Sequence, residues 1–207
     1  MLIHAGASGV GTAAIQLARV MGASTIFTTS RSTWKIEKCL ELGANRAINT
    51  AQEEFDRVVL DATASRGVDI ILDFVGADYL EKNLNAAALE GRIVQIAMLS
   101  GASAEINLQK ILSKRLRLQG TTLRSPSGSP VASGGSPAGE RWTHRPIEQK
   151  MTQTQKFAKQ ILPLFADGRL KPLMDRSFDL QEIVEAHRYM ENNSNFGKVV
   201  LSVTSKE

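Results

Sequence analysis

The residues whose types and spacing can do chemistry stand near the start of the chain. Ala5-Gly6-Ala7-Ser8-Gly9-Val10-Gly11-Thr12 follows the apolar run Leu2-Ile3-His4-Ala5. It precedes Ala13, Ala14, Leu17, Ala18 and Met21, which recur at helical spacing. Gly6-x-Ser8-x-x-Gly11 keeps the spacing of a G-x-G-x-x-G turn, with serine at the second position. Gly6 permits a tight turn out of a strand. Gly9 and Gly11 let backbone approach a diphosphate and let the helix pack on the sheet. The helix start adds unpaired N–H groups and partial positive charge. A glycine run alone carries little; one placed after a strand and before a helix is far more specific.

The next β-branched run, Ser24 to Thr29, leads into Ser30-Arg31-Ser32, with Lys35 one helical turn past Arg31. A ribose 2′-hydroxyl is ordinarily met here by Asp or Glu. No acid is present. Hydroxyls and cations suit a 2′-phosphate, so Ser30, Arg31 and Lys35 point to NADP(H) over NAD(H). The bland alternative is two solvated charges at a helix start.

The elements that must position these residues alternate. Leu2 to Ala5 reads as a strand and Gly9 to Met21 as a helix. Ser24 to Thr29 is a second strand, and Ser32 caps a helix that closes at Leu42-Gly43. Strands are expected at Arg46 to Asn49, Val68 to Phe74, Arg92 to Met98, Leu116 to Leu123 and Val199 to Val203. Helices are expected over Glu53 to Ser65, from a capping box at Asp78–Glu81 to near Gly91, over Lys156 to Phe165, and from a second capping box at Asp179–Glu182. The βα alternation predicts an α/β, Rossmann-type, doubly wound parallel sheet.

Composition bounds the rest. The 207 residues are 43% hydrophobic and 22% charged, which suits a globular chain and excludes collagen, coiled coil and wholesale disorder. The single cysteine, Cys39, excludes an internal disulfide framework and a multi-cysteine zinc site within the chain. It fits a reducing, cytoplasmic compartment and is expected to face the core. No run of about 18 apolar residues suggests a membrane span. The net charge of +4 is mild, and the basic stretch Lys110 to Arg117 is short, so nucleic acid is not expected as a partner. Ser125 to Gly139 holds 12 Ser, Pro or Gly among 15 residues and reads as a disordered insert running to about His144.

Other constellations are bland. Tyr79-Leu80-Glu81-Lys82 has one residue too few for a Tyr-x-x-x-Lys pair. His4 is expected to be buried in its strand and His187 to pack on an apolar helix face. Three scattered histidines and one cysteine give no metal-ligand spacing.

Several stretches carry a resemblance. They are Leu2 to Leu17, Glu41-Leu42-Gly43-Ala44, Gly67 to Asp73, Glu81-Lys82-Asn83, Leu89 to Arg92, Leu123-Arg124-Ser125, Gln160 to Pro163, Glu185 to Glu191 and Asn195 to Leu201. Together they resemble the zinc-independent, zeta-crystallin-like quinone oxidoreductases of the medium-chain dehydrogenase/reductase superfamily. The resemblance implies an NADPH-dependent reductase that passes hydride from nicotinamide to a quinone or related electrophilic carbonyl without metal. It implies cofactor contacts at Gly6, Ala7, Ser8, Gly9, Val10, Gly11, Thr12, Ser30, Arg31 and Lys35. It places nicotinamide at Phe74, Val75, Gly76, Ala97, Met98, Leu99 and Leu123, and assigns no catalytic residue. A family tyrosine after Asn49 that helps hold the 2′-phosphate is Thr50 here, which weakens the expected NADP(H) preference. The family's N-terminal GroES-like catalytic domain has no counterpart before Leu2, so the chain is expected to begin inside a fold.

The expected organisation is an NADP(H)-binding domain over 1–124, an insert over 125–145, a helix completing that domain over 146–170, and a remnant of the catalytic domain over 171–207. The rival expectation is a catalytically incompetent, nucleotide-binding fragment that acts by dimerising with intact family members, the sheet edge near Leu116 to Leu123 being the candidate contact for that pairing or for a homodimer.

Overall fold

The computed structural model describes residues 1–121 and 147–203. The Ser/Pro/Gly-rich insert, Leu123, His144 and the end of the expected strand after Thr121 lie outside the described residues.

Six strands form one parallel sheet: β1 (Leu2–Ile3), β2 (Phe27–Ser30), β3 (Arg46–Asn49), β4 (Val68–Asp73), β5 (Ala87–Gln95) and β6 (Arg117–Gly120). Their order is β3-β2-β1-β4-β5-β6. The doubly wound α/β fold expected from the alternation is therefore the fold observed. Its central strand β1 pairs with β2 on one side and β4 on the other, so the chain changes direction there. Such a switch point leaves a crevice outside the carboxyl ends of the strands.

Period-two alternation divides the core between two faces. Leu2 joins Phe27, Ile71, Phe55 and Val59 on one face; Ile3 joins Ile15, Ile26, Cys39 and Phe74 on the other. Helices α1 (Gly9–Val20) and α2 (Thr33–Glu41) cover the second face. Helices α3 (Phe55–Ala62), α4 (Ala77–Ala86) and α5 (Leu108–Lys114) cover the first. The basic stretch is largely used internally. Lys110 pairs with Glu81, Arg115 pairs with Glu90, and Lys114 Nζ donates to the carbonyls of Leu84, Asn85 and Ala87 at 2.9, 2.7 and 2.8 Å. That last cluster satisfies the C-terminal end of α4.

Beyond the undescribed stretch lie α6 (Ile147–Gln160), α7 (Leu162–Ala166), β7 (Met174–Asp179), α8 (Ile183–Glu191) and β8 (Lys198–Ser202). No residue of α6 is buried, whereas Leu164 of α7 is. Strands β7 and β8 form a separate parallel pair. This unit docks on the large sheet through several contacts. Gln16 and Lys171 exchange hydrogen bonds of 3.0 Å each, and Gly197 N donates to Ala7 O at 2.9 Å.

Four expectations are corrected. Asp78 caps nothing: Gly76, at a φ of 97°, stands in the N-cap position and α4 begins at Ala77. Ser100 Oγ accepts from Asp78 N at 3.1 Å, tying the helix start to the neighbouring loop instead. That helix ends at Ala86, not near Gly91, because Ala87 already pairs with Val68. Ser32 occupies its N-cap position but makes no side-chain capping bond. His187 is exposed rather than packed, because only Ala186 of α8 is buried. The capping box at Asp179 and Glu182 is present as expected.

Candidate nucleotide site

A cavity of about 410 Å³ opens at the carboxyl edge of the large sheet. Every strand end from β1 to β5 contributes to its wall: Ala7 and Ser8, Ser30 and Arg31, Thr50, Val75 and Tyr79, then Leu99 and Ser100. Asn193 and Asn195 close it from the far end of the chain.

The glycine turn enters from β1 and is held by close contact. A Cβ on Gly6 would stand 2.0 Å from Thr28 Oγ1, and one on Gly11 would stand 2.2 Å from Ala5 O. No side chain fits at Gly11 without moving backbone. Ser8 caps α1, its Oγ accepting from Gly11 N at 2.9 Å. Serine at the second fingerprint position thus consumes one helix-start N–H. The N–H groups of Gly9 and Val10 stand in the first turn of α1, Gly9 beside the bridge between Ser8 and Gly197, and are the donors at the helix start offered to an anion. The side chain of Lys198 crosses Gly9.

Behind the turn runs a buried polar chain. Asn83 Nδ2 donates to Asp73 Oδ2 at 2.9 Å, so Asn83 Oδ1 accepts from His4 Nε2 at 2.7 Å. A neutral His4 then accepts at Nδ1 from the Thr29 hydroxyl, 3.0 Å away. Thr29 Oγ1 accepts in turn from Ala5 N at 3.2 Å. Asp73 Oδ1 receives the N–H groups of Val75 and Gly76 at 2.6 and 3.1 Å. Four cavity-forming segments are joined through one imidazole. Burial holds His4 below the ordinary histidine range, although Asn83 and Asp73 oppose that shift. The expected burial of His4 is borne out: it is 0% exposed.

The two cations of the expected phosphate site behave differently. Arg31 is exposed and has no ion-pair partner among the described residues. Lys35 is buried, and its Nζ donates to Asn193 O at 2.6 Å. Burial and the neighbouring Arg31 charge hold its ammonium below the usual lysine range. Lys35 is therefore not a solvated helix-start charge.

Of the sequence-derived site residues, the cavity brings together Ala7, Ser8, Ser30, Arg31, Lys35, Val75 and Leu99. Gly6, Gly9, Val10, Gly11 and Thr12 form the turn and helix start beneath it without lining it. Phe74 is buried under the edge, and Gly76, Ala97 and Met98 lie off the cavity wall. Leu123 lies outside the described residues. Tyr79, Ser100, Asn193 and Asn195 escaped the sequence reading as site residues, and Thr50 entered it only as the replacement for a phosphate-holding tyrosine. The rule that ligands sit beyond strand ends would have found Thr50 and Ser100. No local signal joins Asn193 to Lys35 across 158 positions.

A family model described as zinc-binding dehydrogenase matches residues 9–132. The chain is 28% identical over 201 residues to a 2-haloacrylate reductase of Burkholderia sp, covering 97% of this chain and 54% of that protein. An NAD-dependent alcohol dehydrogenase structure superposes with a TM-score of 0.73 at 28% identity, covering 98% of this chain and 50% of that one. The Escherichia coli quinone oxidoreductase complexed with NADPH gives 0.74 at 25% identity, covering 97% and 56%. The chain spans about half the length of each, and a smaller share of other curated relatives.

Zinc does not fit the residues in view. Among the described residues no group of three or more His, Cys, Asp or Glu is placed to hold a metal ion. Both ring nitrogens of His4 are engaged, and burial pushes the Cys39 thiol up to about 12.

The His4 chain makes a stability prediction. A neutral buried imidazole means the unfolded chain binds an extra proton below about pH 6.5. Stability is then full above that value and falls as pH drops toward the depressed folded pKa, by at most about 1.4 kcal/mol per pH unit. Thermal melts between about pH 7.5 and 5.5 should show this slope, and His4→Gln should be less stable but flatter. Equal slopes in the two proteins would contradict the assignment.

Proposed function

This chain belongs to the zinc-binding dehydrogenase family, and on that premise we propose that it binds NADP(H) for metal-independent hydride transfer to a quinone or related electrophilic carbonyl. The observation that carries this reading is the cavity mouth at the end of β2. Arg31 and Lys35 stand there beside Ser30 with no carboxylate from the β2 end, and the nearby Asp175 carboxylate, which favours the charged form of Lys35, does not line the cavity. Asp78 is the carboxylate on the wall, but it is exposed at the start of α4, away from the β2 end where a ribose 2′-hydroxyl is ordinarily held.

Bound NADPH supplies the hydride. The chain's own residues bind and orient. The Gly9 and Val10 N–H groups take the diphosphate at the start of α1. Ser30, Arg31 and Lys35 take the 2′-phosphate. Val75 and Leu99, on the cavity wall, would border the nicotinamide, with Phe74 buried beneath them. Ser100 N donates to Val75 O at 2.8 Å, which fixes the two loops of this border against each other. The names of two relatives, a 2-haloacrylate reductase and a quinone oxidoreductase, support an electron-poor conjugated acceptor.

A second reading is a nucleotide-binding unit that pairs with a copy of itself and does not turn over. One observation favours it: β6 is an edge strand and all four of its residues are exposed. Met98 and Leu99 are also 57% and 79% exposed, so the described residues give an acceptor little wall to rest on. Under both readings the division into a nucleotide-binding unit and a segment that completes a second domain is part of the proposal.

Two measurements test it. Arg31→Ala should weaken NADPH by the worth of a charge-assisted contact, about 1.5–3 kcal/mol, and leave NADH nearly unchanged. Equal losses for both cofactors by calorimetry would sink the 2′-phosphate assignment. Holding an acceptor in attack geometry is worth about 7–11 kcal/mol. The 207-residue chain should therefore bind NADPH yet oxidise it slowly with a panel of quinones. A chimera preceded by the unmatched half of the Escherichia coli enzyme should be much faster. Equal rates would remove the claim that the acceptor wall lies outside these residues.

A further inference from the structure

The cavity contains a hydroxyl that the reading above leaves unused. Tyr79, in the first turn of α4, places its ring 4.7 Å from His4 and 4.9 Å from Phe55, centroid to centroid. The phenol oxygen projects into the same cavity as Arg31 and Lys35, where it donates to Thr50 Oγ1 at 3.1 Å. Thr50 donates onward to Ser30 O at 3.4 Å.

We propose that Tyr79 is a specificity-determining residue of this site, its phenol turning from Thr50 to donate to the 2′-phosphate monoester of the cofactor. The inference rests on the NADP(H) reading and adds the group that directs it.

Three features of the geometry support the role. The ring is fixed between two aromatic neighbours, so its hydroxyl is presented with little further loss of side-chain freedom. The Tyr79–Thr50 bond joins two neutral groups, and a phosphate oxygen offers a charge-assisted bond about twice as strong. Rotation about the phenol C–O bond alone redirects the proton, and no heavy atom need move. The two cations attract any phosphate, the 5′-diphosphate included. Lys35 already spends one donor on Asn193 O. Arg31 is exposed on its loop. A positioned hydroxyl donor separates a phosphate monoester from a free ribose hydroxyl, because only the former is a strong anionic acceptor.

Calorimetry on the whole chain with two probes, adenosine 2′,5′-bisphosphate and 5′-AMP, tests the inference. Tyr79→Phe should lower affinity for the bisphosphate about tenfold or more and change 5′-AMP less than about twofold. Thr50→Val removes the competing acceptor and frees the phenol proton, so it should tighten bisphosphate binding relative to 5′-AMP. Equal losses of both probes in Tyr79→Phe would make the phenol a general wall of the adenosine pocket and overturn the proposal. No loss of either would overturn it too, as would a bisphosphate-selective loss in Thr50→Val. If the parent chain binds neither probe, the NADP(H) reading fails first, and this inference with it. Should Tyr79→Phe not fold, Thr50→Val decides: selective tightening of the bisphosphate supports the proposal, and its absence overturns it.

Discussion

One buried imidazole holds the binding edge of the sheet together. His4 reaches Thr29 at the end of β2 and Asn83 on α4, and through Asn83 the carboxylate of Asp73 at the end of β4. Thr29 holds the amide that opens the glycine turn, and Asp73 holds the two that open the loop before α4. Neutral His4 satisfies this chain with one donor and one acceptor. A second proton would set a donor against the Thr29 hydroxyl and leave a charge in a dry core, which is costly. The turn, the β2 end and the β4 loop are thus positioned by one group, whose Nε2–H tautomer is fixed by the direction of the Asn83 amide.

The far end of the chain is equally part of the site. Gly197 donates to Ala7, Phe196 is buried in the same core cluster as Ile3 and Ile15, and Asn193 O accepts from the Lys35 ammonium. The small β7–β8 unit therefore seats on the glycine turn itself. Lys35 makes that contact consequential. A cation kept from water and beside Arg31 is destabilised unless something accepts from it, and a backbone carbonyl does so here. An anion in the cavity would satisfy the pair more fully than a neutral oxygen can.

Local chemistry made much of this legible in the sequence. The turn at Gly6 to Gly11 sits where its spacing places it, between β1 and α1, and β3 spans Arg46–Asn49 as its β-branched and apolar residues suggest. The parallel sheet follows from alternation alone. Misses arose where a distant partner decides the outcome. The helix expected to open at Asp78 instead opens at Ala77, because Gly76 takes a backbone conformation that suits glycine and Ser100 claims the Asp78 amide. It closes early because Lys114 gathers its last carbonyls and Ala87 pairs with Val68. Lys35 is placed at the site by the sequence, but its carbonyl partner, 158 positions away, has no local signal. Tyr79 reads as part of a cap, and its place in the cavity depends on packing against His4 and Phe55.

The central claim is that the crevice at the carboxyl edge of the sheet is a nicotinamide-nucleotide site built on the glycine turn. Backbone amide resonances followed during an NADPH titration test it directly. The account predicts saturable, one-to-one shifts of Ser8 to Gly11, Ser30 to Lys35 and Asn193 to Asn195, with the amides of Gly9 and Val10 moving most. Absence of saturable shifts, or shifts confined to residues away from the turn such as Leu42 and Met174, would contradict it.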